Sequence, residues 1–249
     1  MPSLSFRKKK HPIAQPRSAN HVYIVEYPKS GITWLSTILA NLALQTSGRE
    51  DLRVTFANLR MIIPDIHLGQ EIGDPVYTSP PIRFIKSHST FRADYTFSIY
   101  LARHPVRVAD SYYRYMKNRG RFTGSFSEFI HNRRFGVGSW CEHVDSWLKG
   151  PPRGGILHLI RYEDLVKDAI GEIEELCRNL GWFVSRDSIR IAVERSSSEH
   201  MRESEELFIK HDPRYSAGFV KGRRTNISKD DEAYILNRCR TQLDMLNYR

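Results

Sequence analysis

Eight consecutive residues, Tyr27-Pro28-Lys29-Ser30-Gly31-Ile32-Thr33-Trp34, carry the types needed to hold a phosphate. Backbone N–H groups at a helix start form a ready anion site. Gly31 lets the backbone approach a ligand, Thr33 adds a hydroxyl, and Lys29 supplies a mobile positive charge. The order differs from the Gly-x-x-x-x-Gly-Lys-Ser/Thr loop of nucleotidases, because here the lysine precedes the glycine. No acidic residue is obviously placed to hold magnesium. The same residues would also serve as a plain turn, so the elements around them matter.

Those elements are legible in the apolar spacing. Val22 to Glu26 reads as a short strand, and Trp34 to Gln45 as a helix with Leu35, Ile38, Leu39 and Leu42 on one face. Polar, Gly- and Pro-rich sequence over 47–81 reads as loops around short helices. Ile82 to Lys86 and Phe97 to Leu101 read as strands, and Pro105 opens a helix that runs to Lys117. Ser125 and Glu128 have capping-box spacing before a short helix. Ser139 is positioned to cap the next one, whose Trp140, Val144, Trp147 and Leu148 share a face. Ile156 to Ile160 is a further strand, and Asp164 to Leu180 a helix closed by Gly181. Ser185 to Glu194 and Lys229 to Leu246 complete the helices. Alternation of strands with helices predicts one α/β domain over 21–249, a central parallel sheet flanked by helices, preceded by a basic N-terminal tail over 1–20.

Composition narrows the partner. Of 249 residues, 40% are hydrophobic and 11% aromatic, which excludes collagen-like and wholly disordered chains. Lys and Arg number 38 against 28 Asp and Glu, a net charge of +10 that favours anionic partners. No apolar run reaches the ~20 residues of a membrane span. The Arg7-Lys8-Lys9-Lys10 cluster is followed by no apolar stretch, so it is not read as a secretory signal. Cys141, Cys177 and Cys239 form an odd, sparse set without metal-ligand spacing, which fits a reducing compartment. The expectation is a cytoplasmic protein without a metal.

Residues 27–35 resemble the 5′-phosphosulfate loop, Tyr-Pro-Lys-Ser-Gly-Thr-Thr-Trp-Leu, of sulfotransferases that use 3′-phosphoadenosine-5′-phosphosulfate (PAPS). The one difference is Ile32, which lacks the usual threonine hydroxyl. Arg103-His104-Pro105-Val106-Arg107-Val108-Ala109-Asp110-Ser111 is similar to the stretch of that family that binds the donor's 3′-phosphate, with Arg103 and Ser111 in the matching places. Lys86-Ser87-His88 looks like the Lys-Thr-His segment that carries the catalytic base. Residues 138–144 are similar to a Gly-Ser-Trp-Tyr-Glu-His-Val helix start. Their aromatic stripe reads as core packing, so Trp140 and His143 are given no chemistry. Tyr162, in Tyr-Glu-Asp-Leu, corresponds to a tyrosine at the adenine. Residues 196–202 resemble a further adenine-contacting stretch with Ser198 in place of its phenylalanine, which leaves base stacking to Trp34. Lys221, Gly222 and Arg223 resemble part of a C-terminal Arg-Lys-Gly loop.

The resemblance extends in order over about 22–224, and it implies transfer of a sulfuryl group from PAPS to a hydroxyl, or an amine, of an acceptor. It assigns Lys29, Ser30, Gly31, Ile32, Thr33 and Trp34 to the 5′-phosphate. Arg103, Ser111, Lys221, Gly222 and Arg223 go to the 3′-phosphate, and Tyr162 goes to the adenine. His88 becomes the general base, with Lys29 and Lys86 stabilising transferring charge. The acceptor is open, a small molecule or a saccharide. Lys117, Arg119, Arg121, Arg133 and Arg134 tilt it towards polar or anionic compounds. Three other readings stay open from the residues: a magnesium-dependent phosphate-loop kinase, a nucleic-acid-binding module using the basic surface, and a nucleotide-binding protein without catalysis. The second would need a recognisable nucleic-acid-binding element, and none is present in the sequence.

Overall fold

The computed structural model of the chain describes residues 21–69, 76–77, 82–150, 156–211 and 225–248. In chain order these form β1 (His21–Glu26), α1 (Ile32–Thr46), α2 (Leu59–Ile62), a single 3₁₀ turn (Ile66–Leu68), β2 (Arg83–Ser87), β3 (Phe97–Ala102), α3 (Pro105–Asn118), α4 (Phe126–Ile130) and α5 (Val137–Leu148). The chain continues with β4 (Ile156–Arg161), α6 (Tyr162–Lys167), α7 (Ala169–Leu180), α8 (Arg186–Glu194), α9 (Ser198–His211), α10 (Lys229–Arg238) and α11 (Arg240–Met245). The four strands lie in the order β2-β1-β3-β4 and every pair is parallel.

A parallel sheet must be covered on both faces, because its crossovers carry helices. Alternation along the strands does this here. Val22 and Ile24 of β1, with Phe97, Ile99 and Leu101 of β3, face a layer built on α1, α7 and α8. Val25 of β1, with Tyr100 and Ala102 of β3, faces the opposite layer of α3, α4, α5, α10 and α11. The three cysteines are free and buried, Cys177 in the first layer and Cys141 and Cys239 in the second. Cys141 and Cys239, 98 positions apart, bring their sulfurs to 3.4 Å.

Several expectations need correction. The helix expected over 164–180 is two: Asp168 leaves helical geometry (φ −148°, ψ 74°), and its carboxylate caps α7 by accepting the Gly171 N–H at 2.9 Å. The one expected over 229–246 breaks at Cys239. Ser139 does not cap α5. The cap is Gly136, and Ser139 sits inside the first turn, donating to the Gly136 carbonyl and sharing a 2.6 Å hydrogen bond with the Tyr27 hydroxyl. α9 has no counterpart among the expected elements. The capping box at Ser125 and Glu128 and the proline at the start of α3 are both as the sequence indicates.

Candidate active site

Every strand delivers a site residue just beyond its carboxyl end. The 27–31 loop follows β1, His88 follows β2, Arg103 follows β3 and Tyr162 follows β4. β1 lies between β2 and β3, so the connections leave it to opposite sides. That reversal opens the crevice where parallel α/β sheets place ligands. A cavity of about 1150 Å³ occupies it, lined by Lys29, Gly31, Ile32, Thr33, Trp34, Lys86, His88, Arg103, Ser111 and Tyr162. One cavity thus gathers residues from distant sequence segments. Ser30 lies apart from it: its buried hydroxyl donates to the Tyr27 carbonyl and holds the turn. Lys221, Gly222 and Arg223 lie outside the described residues.

The loop is tight and strained. Lys29 has φ 77° and Gly31 φ 114°, both in the left-handed region that side chains disfavour. A Cβ on Gly31 would clash with Cδ2 and Cε2 of the Tyr162 ring, so glycine is what lets the loop rest on that tyrosine. α1 begins at Ile32 and lacks a side-chain cap from Gly31. The cap comes from Glu26, the last residue of β1. Its carboxylate accepts the Ile32 N–H at 2.7 Å and the Lys29 N–H at 3.2 Å. The Ser30 N–H is bonded to the Tyr27 carbonyl. The N–H groups of Gly31 and Thr33 have no acceptor among the described residues and remain as donors for an anion.

The Arg103 guanidinium stacks on the Tyr162 ring at 4.2 Å and donates from Nη1 to the Lys29 carbonyl at 3.2 Å. Its buried Nε has no partner among the described residues. A buried guanidinium N–H without an acceptor, beside two orphan loop N–H groups and the Ser111 hydroxyl, fits a ligand carrying phosphates. Trp34 packs edge-on against Tyr162 at 5.9 Å and is fixed by its indole N–H, which donates to the Ser196 carbonyl at 2.9 Å.

His88 is largely buried. Its Nδ1 makes a long 3.4 Å contact with the Glu26 carbonyl, which can only accept. The proton in that contact therefore sits on Nδ1, leaving the Nε2 lone pair able to take another. Burial pushes the imidazole well below its usual value, and Lys86 and His67 push the same way, so it is held neutral. Lys86 is tied down: its Nζ pairs with Asp65 at 3.0 Å, and its backbone bridges to the same residue. Lys29 lies with its Nζ 4.7 Å over the Tyr115 ring; burial lowers its pKa, while Glu26 and Glu205 pull it back up.

The segment after His88 is held from α5. The Trp147 indole N–H donates to the Ser89 carbonyl at 3.0 Å, and Ser146 Oγ accepts the Phe91 N–H at 3.1 Å. The aromatic stripe of α5 is core, as its spacing suggests, and it also holds the segment that follows His88. His143 is buried against the Tyr100 hydroxyl at 3.0 Å. Of the basic residues singled out for an acceptor, Arg119, Arg121 and Arg134 line the cavity and Lys117 and Arg133 do not. Glu26, Asp65, Glu205 and Arg60 line it too and escape the sequence reading. For Glu26 there is a signal, a carboxylate ending an apolar strand directly before the loop. Asp65, Glu205 and Arg60 come from segments whose placement only tertiary packing decides.

The family profile described as a sulfotransferase domain matches residues 19–245. The chain belongs to the sulfotransferase family. It is 29% identical over 191 residues to Sulfotransferase 4A1 of Mus musculus, an alignment covering 72% of this chain and 66% of that protein. With Cytosolic sulfotransferase 1 of Danio rerio it shares 32% over 184 residues, covering 66% and 60%. The match thus spans slightly less than two thirds of these relatives' length. The sulfotransferase fold is also that of a retinol dehydratase solved with androsterone and the inactive cofactor PAP (TM-score 0.68, 18% identity, 94% of this chain and 84% of that one). Mouse SULT7A1 with PAP gives a TM-score of 0.63 at 18% identity, covering 92% and 89%.

Proposed function

We propose that this protein transfers a sulfuryl group from PAPS to a hydroxyl, or an amine, of an acceptor. The observation that carries the reading is the convergence on one cavity of the 29–34 loop, Arg103 with its unpartnered Nε, and a neutral His88. Lys29, the Gly31 and Thr33 N–H groups and Trp34 would hold the 5′ end of the donor. Arg103 and Ser111, with Lys221, Gly222 and Arg223, would hold its 3′-phosphate, and Tyr162 and Trp34 its base. Bound there, the donor supplies an activated sulfuryl group with a nucleotide as leaving group.

The chain's own residues do the rest. His88 takes the acceptor's proton at Nε2 while its Nδ1 contact with the Glu26 carbonyl keeps the ring oriented. Lys29 and Arg103 place fixed positive charge at the loop in a partly dry cavity, where it acts more strongly than in water. Lys86, paired with Asp65, adds charge at the neighbouring strand end. Among the described residues no three His, Cys, Asp or Glu side chains are grouped to hold a metal, and the positive charge comes from lysine and arginine.

The acceptor proposed is a polar or anionic small molecule or saccharide. Arg60, Arg121 and Arg134 line the cavity with exposed guanidinium groups, and no ion pair to a described residue engages them. Aromatic Tyr112 and Tyr115 line it too and offer a flat surface for a ring. A cytoplasmic setting is part of the proposal, in keeping with the relative named cytosolic and with three free thiols. No helix is long and apolar enough to cross a membrane among the described residues. The domain is proposed to span 21–249, with the basic tail over 1–20 outside the described residues.

Substitution tests the chemistry. His88→Ala and Lys29→Ala should each lower turnover ~100-fold or more, with His88→Ala keeping affinity for 3′-phosphoadenosine-5′-phosphate (PAP) within about threefold. Calorimetry with PAP, with ATP and magnesium, and with an oligonucleotide separates this reading from a kinase and from a nucleic-acid module. Tight binding of PAP alone is the expected result; unchanged turnover in both variants overturns the roles.

A further inference from the structure

The residue that the proposed chemistry leaves unexplained is Glu26. A carboxylate 2% exposed, at the end of a strand and beneath a loop meant for anions, is out of place unless it has a task. Two hydrogen bonds describe where its charge goes, to the N–H groups of Ile32 and Lys29. These are two of the four backbone donors that the loop offers over residues 29–33 beyond its internal turn. The Glu26 side chain also lines the cavity. An anion therefore already occupies half of the nest.

We propose that Glu26 is a built-in competitor of the donor's 5′-phosphate: ionised, it holds the loop N–H groups and repels the incoming phosphate, and proton uptake by Glu26 releases both for binding. The proposal rests on the PAPS reading of the site. Burial raises the Glu26 carboxyl to about 7, against the pull of Lys86, the Ile32 N–H and Lys29, so a proton is within reach at neutral pH. The groups that face it are Lys29 from the loop, Lys86 and His88 from the end of β2, with His88 Nδ1 3.8 Å from its Oε1, and Tyr100 from β3. Asp65 and His67 stand behind Lys86 and His88, and Glu205 faces Lys29. Of these, the cations favour the ionised form and burial favours the neutral one; a phosphate placed on the loop would tip the balance towards protonation.

The sign follows. Donor binding takes up a proton, so affinity falls as pH rises past the carboxyl's value, by up to tenfold per unit where one proton is exchanged. PAP has titrating phosphates of its own, and a ratio of wild type to variant cancels them. Glu26→Thr removes the carboxylate and Glu26→Gln keeps its shape without its charge. Calorimetric titration of the full chain with PAP, at four pH values from 5.5 to 8.5 and in two buffers of different ionisation enthalpy, reads both affinity and proton uptake. The expected result is binding at least ~10-fold tighter in Glu26→Thr at pH 8.5, a ratio that shrinks towards one at pH 5.5, and about one proton less taken up by both variants. Should Glu26→Thr fail to fold, loss of proton uptake in Glu26→Gln carries the test. A ratio of one at every pH, or weaker binding in both variants, overturns the proposal and makes Glu26 a support of the loop. If neither wild type nor variants bind PAP, the PAPS reading itself falls.

Discussion

Single residues set the limits of the loop. Gly31 has φ 114° and sits against the Cδ2–Cε2 edge of the Tyr162 ring, where an added methyl would clash. Gly31→Ala combines a disfavoured backbone with a clash against a ring that is itself stacked under Arg103. We expect a loss of ~2 kcal/mol or more in stability and at least a tenfold loss of PAP affinity, read by denaturant unfolding and calorimetry. The sequence marks Gly31, Lys29 and Arg103 because their types are tied to anions. It does not mark Glu26, whose role depends on a carboxylate turning under its own loop, nor Asp65, which reaches Lys86 only once the 3₁₀ turn docks on β2. Local spacing reveals the cations; the acids that restrain them become visible in three dimensions.

At the scale of elements, the helices that pack the core also hold loops that line the cavity. α5 reads in sequence as a buried stripe, and buried it is, yet its Trp147 and Ser146 hold the chain just after His88. Trp147→Phe keeps the packing and deletes one hydrogen bond. It should lower kcat about 3–10-fold while PAP affinity stays within twofold, a split seen by steady-state kinetics beside calorimetry. Strands and long amphipathic helices are legible because their apolar residues recur at periods of two and 3.6. Breaks at Asp168 and Cys239 are not, since a helix period continues through both and only a cap or a neighbour decides where the backbone turns. α9 is hard to read for a different reason: of its fourteen residues only Met201 and Glu205 are buried, so little apolar periodicity survives.

Across the whole molecule, burial of histidines links stability to acid. His143 and His158 are buried and pushed down to about 4, chiefly by loss of solvent, and His88 is lowered for the same reason. Such groups are neutral in the folded chain and protonated in the unfolded one, so the stability present above their usual value of 6.5 is lost as pH falls towards 4. Glu26, raised to about 7, works the other way between 4.5 and 7 and offsets one of the three. Each uncompensated proton is worth ~1.4 kcal/mol per pH unit. The melting temperature should therefore drop between about pH 6.5 and 4, and His143→Gln should flatten that drop, as thermal unfolding across the range would record.

The two faces of the sheet each enclose cysteine, and in different numbers. Cys177 lies among α1, α7 and α8, and Cys141 touches Cys239 on the side of α5, α10 and α11. A thiol reagent reaches none of them until its own layer opens, so labelling followed by mass would time the loosening of the two layers separately. The sandwich thus carries two internal clocks, one thiol in the first layer and a touching pair in the second. With donor added, the clock that slows identifies which layer the bound nucleotide braces.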